Sequence, residues 1–478
     1  MTLTSSNGRY VKLIRKMALM GAGPLLIAVS LLSPTYFGAE ASGFKRHTAE
    51  AENSIPPLQG AAITDLKKRK LYDSLRAALN AAGARRSDYS VVTPPIVNEQ
   101  KLTASDGAAF GEFGNSVAFS GSTVVVGAPD AIDGNPDQGS AYVFNRQGGA
   151  WVEAVKLTAS DGAADNYFGW SVALSDSTIV VGAWPADIGG NADQGSAYVF
   201  NRLGGSWIET DKLTASDGAA GDHFGWSVAV SGSTIIVGAL SDKIGANFFQ
   251  GSAYVFNRQG ESWVETQKLT GSDGRRFDQF GWSVAVSDST VVVGATRSVF
   301  QGLAYVFNRQ GGRWVEEQKL IASDGGTSDE FGWSVAVSGS TVVVSAISTN
   351  HFQLQGSAYV FNRRGKIWVE EQKLNASDGA EFDEFGYSVA ISDSTIVVSA
   401  PGDDAADGST AQGAAYVFSR QGGYWIETQK LTASDGEAGE FFGKSVAVNG
   451  STVVVSALND TIGSNLAQGS TYVFNRNR

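Results

Sequence analysis

The residues of this chain best suited to chemistry are carboxylates and aromatics. Asp130, Asp133, Asn135 and Asp137 form one oxygen-rich cluster, and Asp403, Asp404 and Asp407 form another. Each is a candidate site for a hard cation such as calcium, completed by backbone carbonyls and water. Trp184, Phe248, Phe249, Phe300, His351 and Phe352 are large rings in segments that otherwise carry acid. They are candidates for a contact patch that takes a protein or a sugar, loop anchoring being the other reading. Catalysis finds little support. Beyond residue 95 the only histidines are His223 and His351, and neither has a nucleophile motif beside it. Paired carboxylates of the glycosidase kind are too numerous to single out a pair. With no cysteine in the chain, a disulfide framework and a thiolate metal site are both excluded. The expectation is a protein that is not an enzyme and holds no obligatory cofactor.

What must position these residues is a repeat. Phe-Gly pairs stand at Phe113, Phe168, Phe224, Phe280, Phe331, Phe385 and Phe442, at nearly constant spacing. One supersecondary unit is therefore copied seven times. Within a unit, Ser283 to Val286 and Thr290 to Gly294 are β-branched runs around Ser287-Asp288-Ser289, which predicts a hairpin. Gly251 to Arg258 predicts a third strand, and Trp263 to Leu269 a fourth. Four short strands per unit with tight turns describe a propeller blade, a β-solenoid being the competing array. The seventh unit ends at its third strand, while Ile96 to Leu102 aligns with a fourth. The fold class expected is all-β: a seven-bladed propeller of four-stranded blades, closed by the N-terminal strand. Trp151, Trp207, Trp263, Trp314, Trp368 and Trp425 open the fourth strands and are expected to pack between blades.

The units resemble the FG-GAP repeat, the blade of the integrin α-chain propeller. The signature stands as Phe113-Gly114 with Gly127-Ala128-Pro129, and decays to Ser345-Ala346, Ser399-Ala400-Pro401 and Ser456-Ala457 in the last units. The resemblance implies the propeller fold over residues 96–478 and a binding or adhesion role. It does not carry over the integrin calcium sites. Those need a D-x-D-x-D-G type loop in the first hairpin, where this chain has only Ser120-Gly121-Ser122 or Ser175-Asp176-Ser177 and their equivalents. The chain looks like the calcium-free, secreted variants of the family.

Residues 1–41 read as a signal peptide: a basic head at Arg9 to Lys16, an apolar run from Met17 to Leu32, and Ala39-Glu40-Ala41 as a cleavage site. An uncleaved anchor is the alternative, and no later segment is apolar enough to span a membrane. Residues 42–95 read as a leader with a helix over about 61–82, basic at Lys67 to Lys70, and a linker. The leader has a net charge of +4 and residues 96–478 of −19, so nucleic acid and anionic membrane are poor partners for the body.

Antiparallel order puts the tight turns, with Arg146, Arg202, Arg258, Arg309, Arg363, Arg420 and Arg476, at one end of the ring. The long loops and most of the acid lie at the other. Asp106, Asp161, Asp217, Asp273, Asp324, Asp378 and Asp435, each followed by Gly, read as turn chemistry with Gly at positive φ. A second set, Glu112, Asp165, Asp222, Asp278, Asp329, Asp383 and Glu440, reads as solvated loop charge. The function expected is that of a secreted or surface-exposed binding propeller, periplasmic or on the outer envelope if bacterial. It would recognise a protein or glycan through its acidic long-loop end. A structural element without a specific ligand and a hydrolase are the alternatives.

Overall fold

A computed structural model describes residues 96–131, 134–297, 301–348, 354–404 and 410–476. The signal peptide, the helix over 61–82 and the linker lie outside the described residues. So do Asp133, Phe300, His351, Phe352 and Asp407.

Within the described residues every element is a strand, and the strands form seven four-stranded antiparallel sheets. The fourth blade is representative: β14 (Phe280–Ser287), β15 (Thr290–Ala295), β16 (Leu303–Gln310) and β17 (Arg313–Leu320) lie in that order. The second strand of every blade is buried at all six positions, as in Thr290 to Ala295. It has no polar alternation because both faces of the sheet are covered by neighbouring blades. The innermost strands are β2 (Ser116–Ser120), β6 (Ser171–Ser175), β10 (Phe224–Ser231), β14, β18 (Val335–Ser338), β22 (Val389–Ser392) and β26 (Phe442–Asn449). They touch one another in that order, and β26 meets β2.

One serine per blade stitches this inner ring. The Ser116 hydroxyl accepts from the Val172 amide at 3.0 Å, and the Ser445 hydroxyl from the Val117 amide at 3.1 Å. In blades two to four the hydroxyl donates instead, as from Ser283 to the Gly332 carbonyl at 2.8 Å. A side chain larger than Ser would hold the strands apart, which accounts for the small face of the first strand.

The outer strand of the seventh sheet is β1 (Ile96–Leu102). It pairs antiparallel with β28 (Ser470–Arg476), placing Glu99 opposite Phe474 and Lys101 opposite Tyr472. The fourth strand of each of the first six blades carries a bulge, as between Val306 and Phe307 on the partner strand. Bulges twist an outer edge out of register and discourage edge-to-edge pairing.

Phe280 is 1 % exposed and packs edge-on against Tyr305 and Phe307, with centroids at 5.2 and 6.1 Å. The glycine after it has φ +92° and presses on the Ser252 carbonyl of the preceding blade. A Cβ there is excluded twice over, by conformation and by space.

Candidate functional site

Each connection between blades delivers its Asp-Gly pair to a fixed post in the next blade. The Asp161 carboxylate accepts from the Tyr198 hydroxyl at 2.8 Å and pairs with Lys212 at 2.6 Å, while the ammonium sits 5.1 Å over the Tyr198 ring. The same Tyr–Asp–Lys clamp recurs with Asp106, Asp217, Asp273, Asp324, Asp378 and Asp435, the last taking Lys101 of β1. Burial opposes the charge on these aspartates, but the Lys and Tyr bonds hold each carboxyl below its usual range. The turn reading holds in part. Each aspartate also accepts from its own backbone amide, but it bridges to the next blade as well, and the glycines are not among those with positive φ. Gly274 is glycine because the Gln250 side chain lies where a Cβ would stand.

The second acidic set also departs from expectation. Asp222, Asp278, Asp329, Asp383 and Glu440 are buried, not solvated. Asp222 accepts from the Ala219 amide at 2.6 Å and Asp278 from the Arg275 amide at 2.7 Å, so each caps the turn that aims the next Phe-Gly. Asp165 and Glu112 do not share this place: two before Phe168 stands buried Asn166, and two before Phe113 stands Gly111. Burial pushes Asp222 up to about 6, and buried Asp242 adds repulsion. Burial pushes Glu440 up to about 7, with Asp460 adding to it.

These values lie above those of unfolded carboxylates, so the penalty of ionising inside the fold appears as pH rises from about 4 towards 7. The clamp aspartates have lowered values. Their stability is present above the ordinary carboxylate range and is lost as pH falls through their folded values. The melting temperature is therefore expected to peak between about pH 4 and 5, where the two windows meet, and to fall as pH rises to about 7. Asp222→Asn with Glu440→Gln should flatten the alkaline limb. A wild-type melting temperature that climbs steadily from pH 5 to 8 contradicts this assignment.

Inside the inner ring, the residue after each Phe-Gly faces the axis. These residues are Asn115, Trp170, Trp226, Trp282, Trp333, Tyr387 and Lys444. Successive ring centroids from Trp170 to Trp333 are 4.9, 5.3 and 4.8 Å apart, and Tyr387 follows at 5.6 Å. Their planes are inclined by 47, 49, 45 and 59°. One-seventh of a turn is about 51°, so the rings are related chiefly by the blade rotation and run nearly parallel to the axis. The belt ends on a cation. Lys444 donates to the Tyr387 hydroxyl at 2.7 Å and lies 4.9 Å over its ring. Burial works against this ammonium, yet Tyr387, Glu112 and Glu384 raise its pKa. Asn115 completes the circuit by donating to the Trp170 carbonyl at 2.8 Å.

One residue before each Phe-Gly, towards the long-loop end, lies a second tier: Glu112, Tyr167, His223, Gln279, Glu330, Glu384 and Phe441. All seven have positive φ. Burial pushes Glu384 up to about 7, with Lys444 pulling it back and Glu330 adding repulsion. Burial also raises Glu330, against the pull of Arg297. An aromatic collar under an acidic mouth is suited to organic cations and to flat faces, through ring quadrupoles and focused negative potential.

A family model described as the FG-GAP repeat matches residues 96–144, 151–200, 207–256, 263–307, 314–361, 368–418 and 425–474. The chain belongs to the FG-GAP repeat family. No match was found among curated proteins. FG-GAP propellers are commonly binding or adhesion scaffolds.

The residues singled out from sequence are placed as follows in this FG-GAP propeller. Trp184 joins the axial collar, its ring 4.6 Å from His223, 5.6 Å from Trp226 and 5.8 Å from Trp170. His223 Nδ1 lies 2.9 Å from the Ser241 hydroxyl, but that serine is buried and turned away from solvent. Phe248 and Phe249 are exposed at the junction of the third and fourth blades.

Among the cation candidates, Asp403 is buried, 2.5 Å from the Tyr416 hydroxyl and 2.8 Å from Lys430. Asp404 accepts from the Ala411 amide at 2.9 Å. Asn135 donates to Gln138, and the Asp137 carbonyl accepts from Tyr167. Among the described residues, no group of three or more His, Asp or Glu side chains is arranged to hold a metal ion.

Sequence reasoning missed the axial belt. The signal that marks it is a position in the innermost strand that changes type from copy to copy while its neighbours stay fixed.

Proposed function

We propose that this FG-GAP propeller is a non-catalytic binding module, secreted or surface-exposed, that takes a protein or glycan at its long-loop end. The reading of residues 1–41 as a signal peptide supports export. The observation that carries the proposal is the aromatic belt from Trp170 to Tyr387 beneath the ring of Glu112, Glu330 and Glu384. Of the two ligand classes, a protein presenting a basic side chain fits better. The body has a net charge of −19, and Lys444 against Tyr387 shows in place what a cation gains there. Trp is the strongest partner for such a group, and desolvation at the axis strengthens the contact. The proposal also takes the pairing of β1 with β28 as the closure of the ring in solution, and assigns the protein no obligatory cofactor.

The test is a screen of protein, basic-peptide and glycan arrays with the full-length chain, read against Trp282→Ala/Trp333→Ala. Wild type is expected to capture a basic ligand and to lose at least tenfold in affinity in the double variant, with intrinsic fluorescence changing on binding. A ligand whose affinity is untouched by removal of both indoles sinks the axial site. Turnover of any ligand captured there sinks the non-catalytic reading.

A further inference from the structure

The repeat supplies its own control for departures from structural need, and one junction departs at several positions together. In the connection entering β14, Arg275-Arg276 stand where four other connections carry small pairs such as Ala108-Ala109 and Ala219-Ala220, and two carry one Glu, as in Ala380-Glu381 and Glu437-Ala438. The facing loop carries Lys243, Phe248 and Phe249. The preceding blade's loop, of equal length, has Asp187, Ala192 and Asp193 there. Two acids have thus been exchanged for a cation and a ring, and small residues for cations and a second ring. None of this is needed to build a blade.

The structure brings these residues into one row. Lys243 Nζ lies 4.4 Å over the Phe248 ring, and the Arg276 guanidinium lies 5.6 Å over that same ring and 4.6 Å over Phe277. Phe277 stacks on Phe249 with centroids at 5.6 Å and planes inclined by 13°. All three rings stay in water, Phe248 at 47 %, Phe249 at 42 % and Phe277 at 46 % exposure. Phe277 at φ +71° has ring counterparts in Phe110 and Phe382 of other units, and Phe249 at φ +56° stands where Asp193 and Leu354 also take positive φ, so the departure lies in Lys243, Phe248, Phe249, Arg275 and Arg276. Among the described residues, no carboxylate lies within ion-pair distance of Lys243, Arg275 or Arg276. The row is a basic, aromatic island on the acidic end of the ring.

We propose that this island binds an acidic glycan, a sugar chain bearing carboxylate or sulfate groups. The Phe248 and Phe249 carbonyls already accept from the Phe277 and Gln279 amides. Recognition therefore falls to ring faces and cations, not to strand addition. A sugar offers its C–H face to an exposed ring, and its acid group meets a guanidinium in forked geometry. The surrounding acid disfavours a densely charged polymer, so the fit is to a chain whose charges are spaced by neutral rings. This site is separate from the axial belt, and either can fail without the other.

The experiment measures binding of the full-length chain to alginate oligosaccharide and to dextran sulfate, with neutral dextran, poly-glutamate and anionic phospholipid vesicles alongside. Two variants restore the pattern of the other blades and so are expected to fold: Arg275→Ala/Arg276→Ala, and Phe248→Ala/Phe249→Asp. Wild type should bind at least one acidic glycan, more weakly as salt rises, and each variant should lose at least tenfold with an unchanged melting temperature. Trp282→Ala/Trp333→Ala should leave this binding intact. The proposal is overturned by equal binding of neutral dextran, by poly-glutamate or vesicles binding where glycans do not, by no glycan binding, or by either variant retaining full affinity.

Discussion

A chain that starts after Lys101 is expected to melt far below one that starts near Thr93. The shortened chain loses every contact that residues 96–101 make. Gln100 exchanges two hydrogen bonds with the Trp151 backbone, at 2.6 and 2.8 Å. Glu99 holds the Ser434 hydroxyl at 2.7 Å. Lys101 pairs with Asp435 at 2.7 Å and with Asp460 at 2.6 Å. Asp460 is 2 % exposed and also receives Ser470 and Tyr472, so its charge would be stranded. Stranding one buried charge costs about 3–5 kcal/mol, and the β28 edge would lose its partner as well. Thermal unfolding of the two proteins decides the matter, and equal melting temperatures would mean that β1 does not close the ring.

Lys268→Met should destabilise the protein by about 3 kcal/mol, whereas Lys212→Met should cost less than about 1 kcal/mol. The two lysines occupy the same place in different blades. Lys212 pairs with Asp161, which is half in solvent, and exposed pairs contribute little. Lys268 meets Asp217 at 2.7 Å and also Asp242 at 2.7 Å, where the second blade has Ala186. Asp242 is buried and bonded to the Ser252 hydroxyl at 2.5 Å, with Asp222 nearby. Removing the ammonium leaves two buried carboxylates facing each other. Denaturant titration of both variants at pH 7.5 measures the difference, and equal losses would show that the second aspartate adds nothing. The third, sixth and seventh blades share the arrangement through Asp242, Asp403 and Asp460.

The architecture was legible because its signals are repeated. Seven Phe-Gly pairs, seven fully apolar second strands and seven small-faced first strands each encode the same packing problem, and one reading serves them all. The carboxylates were read only in part for a physical reason. An Asp in a Ser-Asp-Gly segment looks alike whether it only caps its own turn or also reaches a Tyr and a Lys in the blade ahead. Only the pairing register brings Tyr198 and Lys212 to Asp161. Burial of Asp222 was equally hidden, because a charged residue in a connection has no apolar periodicity to betray it. The axial belt was missed because Trp282 serves as the large residue of an alternating strand in sequence, while in the ring that side chain points at the axis. Phe248 and Phe249, by contrast, stood out as rings in a loop that elsewhere carries Ala and Asp.

The clamps also bear on how the ring assembles. In six blades the Asp, Tyr and Lys lie within some fifty residues of one another, as Asp161 and Lys212 do at a separation of 51. Each of those blades can lock as soon as its own segment is present, in the manner of local, low-contact-order folding. In the seventh, Lys101 reaches Asp435 across 334 residues. Loop-closure entropy rises only with the logarithm of length, so this longer closure costs only about 2 kcal/mol more than a local clamp. If the ring closes as proposed above, the joint is thermodynamically accessible and is expected to form after the local clamps, because its partners are farthest apart in sequence. Until then β28 presents an unpaired, apolar-flanked edge to any other strand, and the ring's period of greatest exposure to misassembly is its final step.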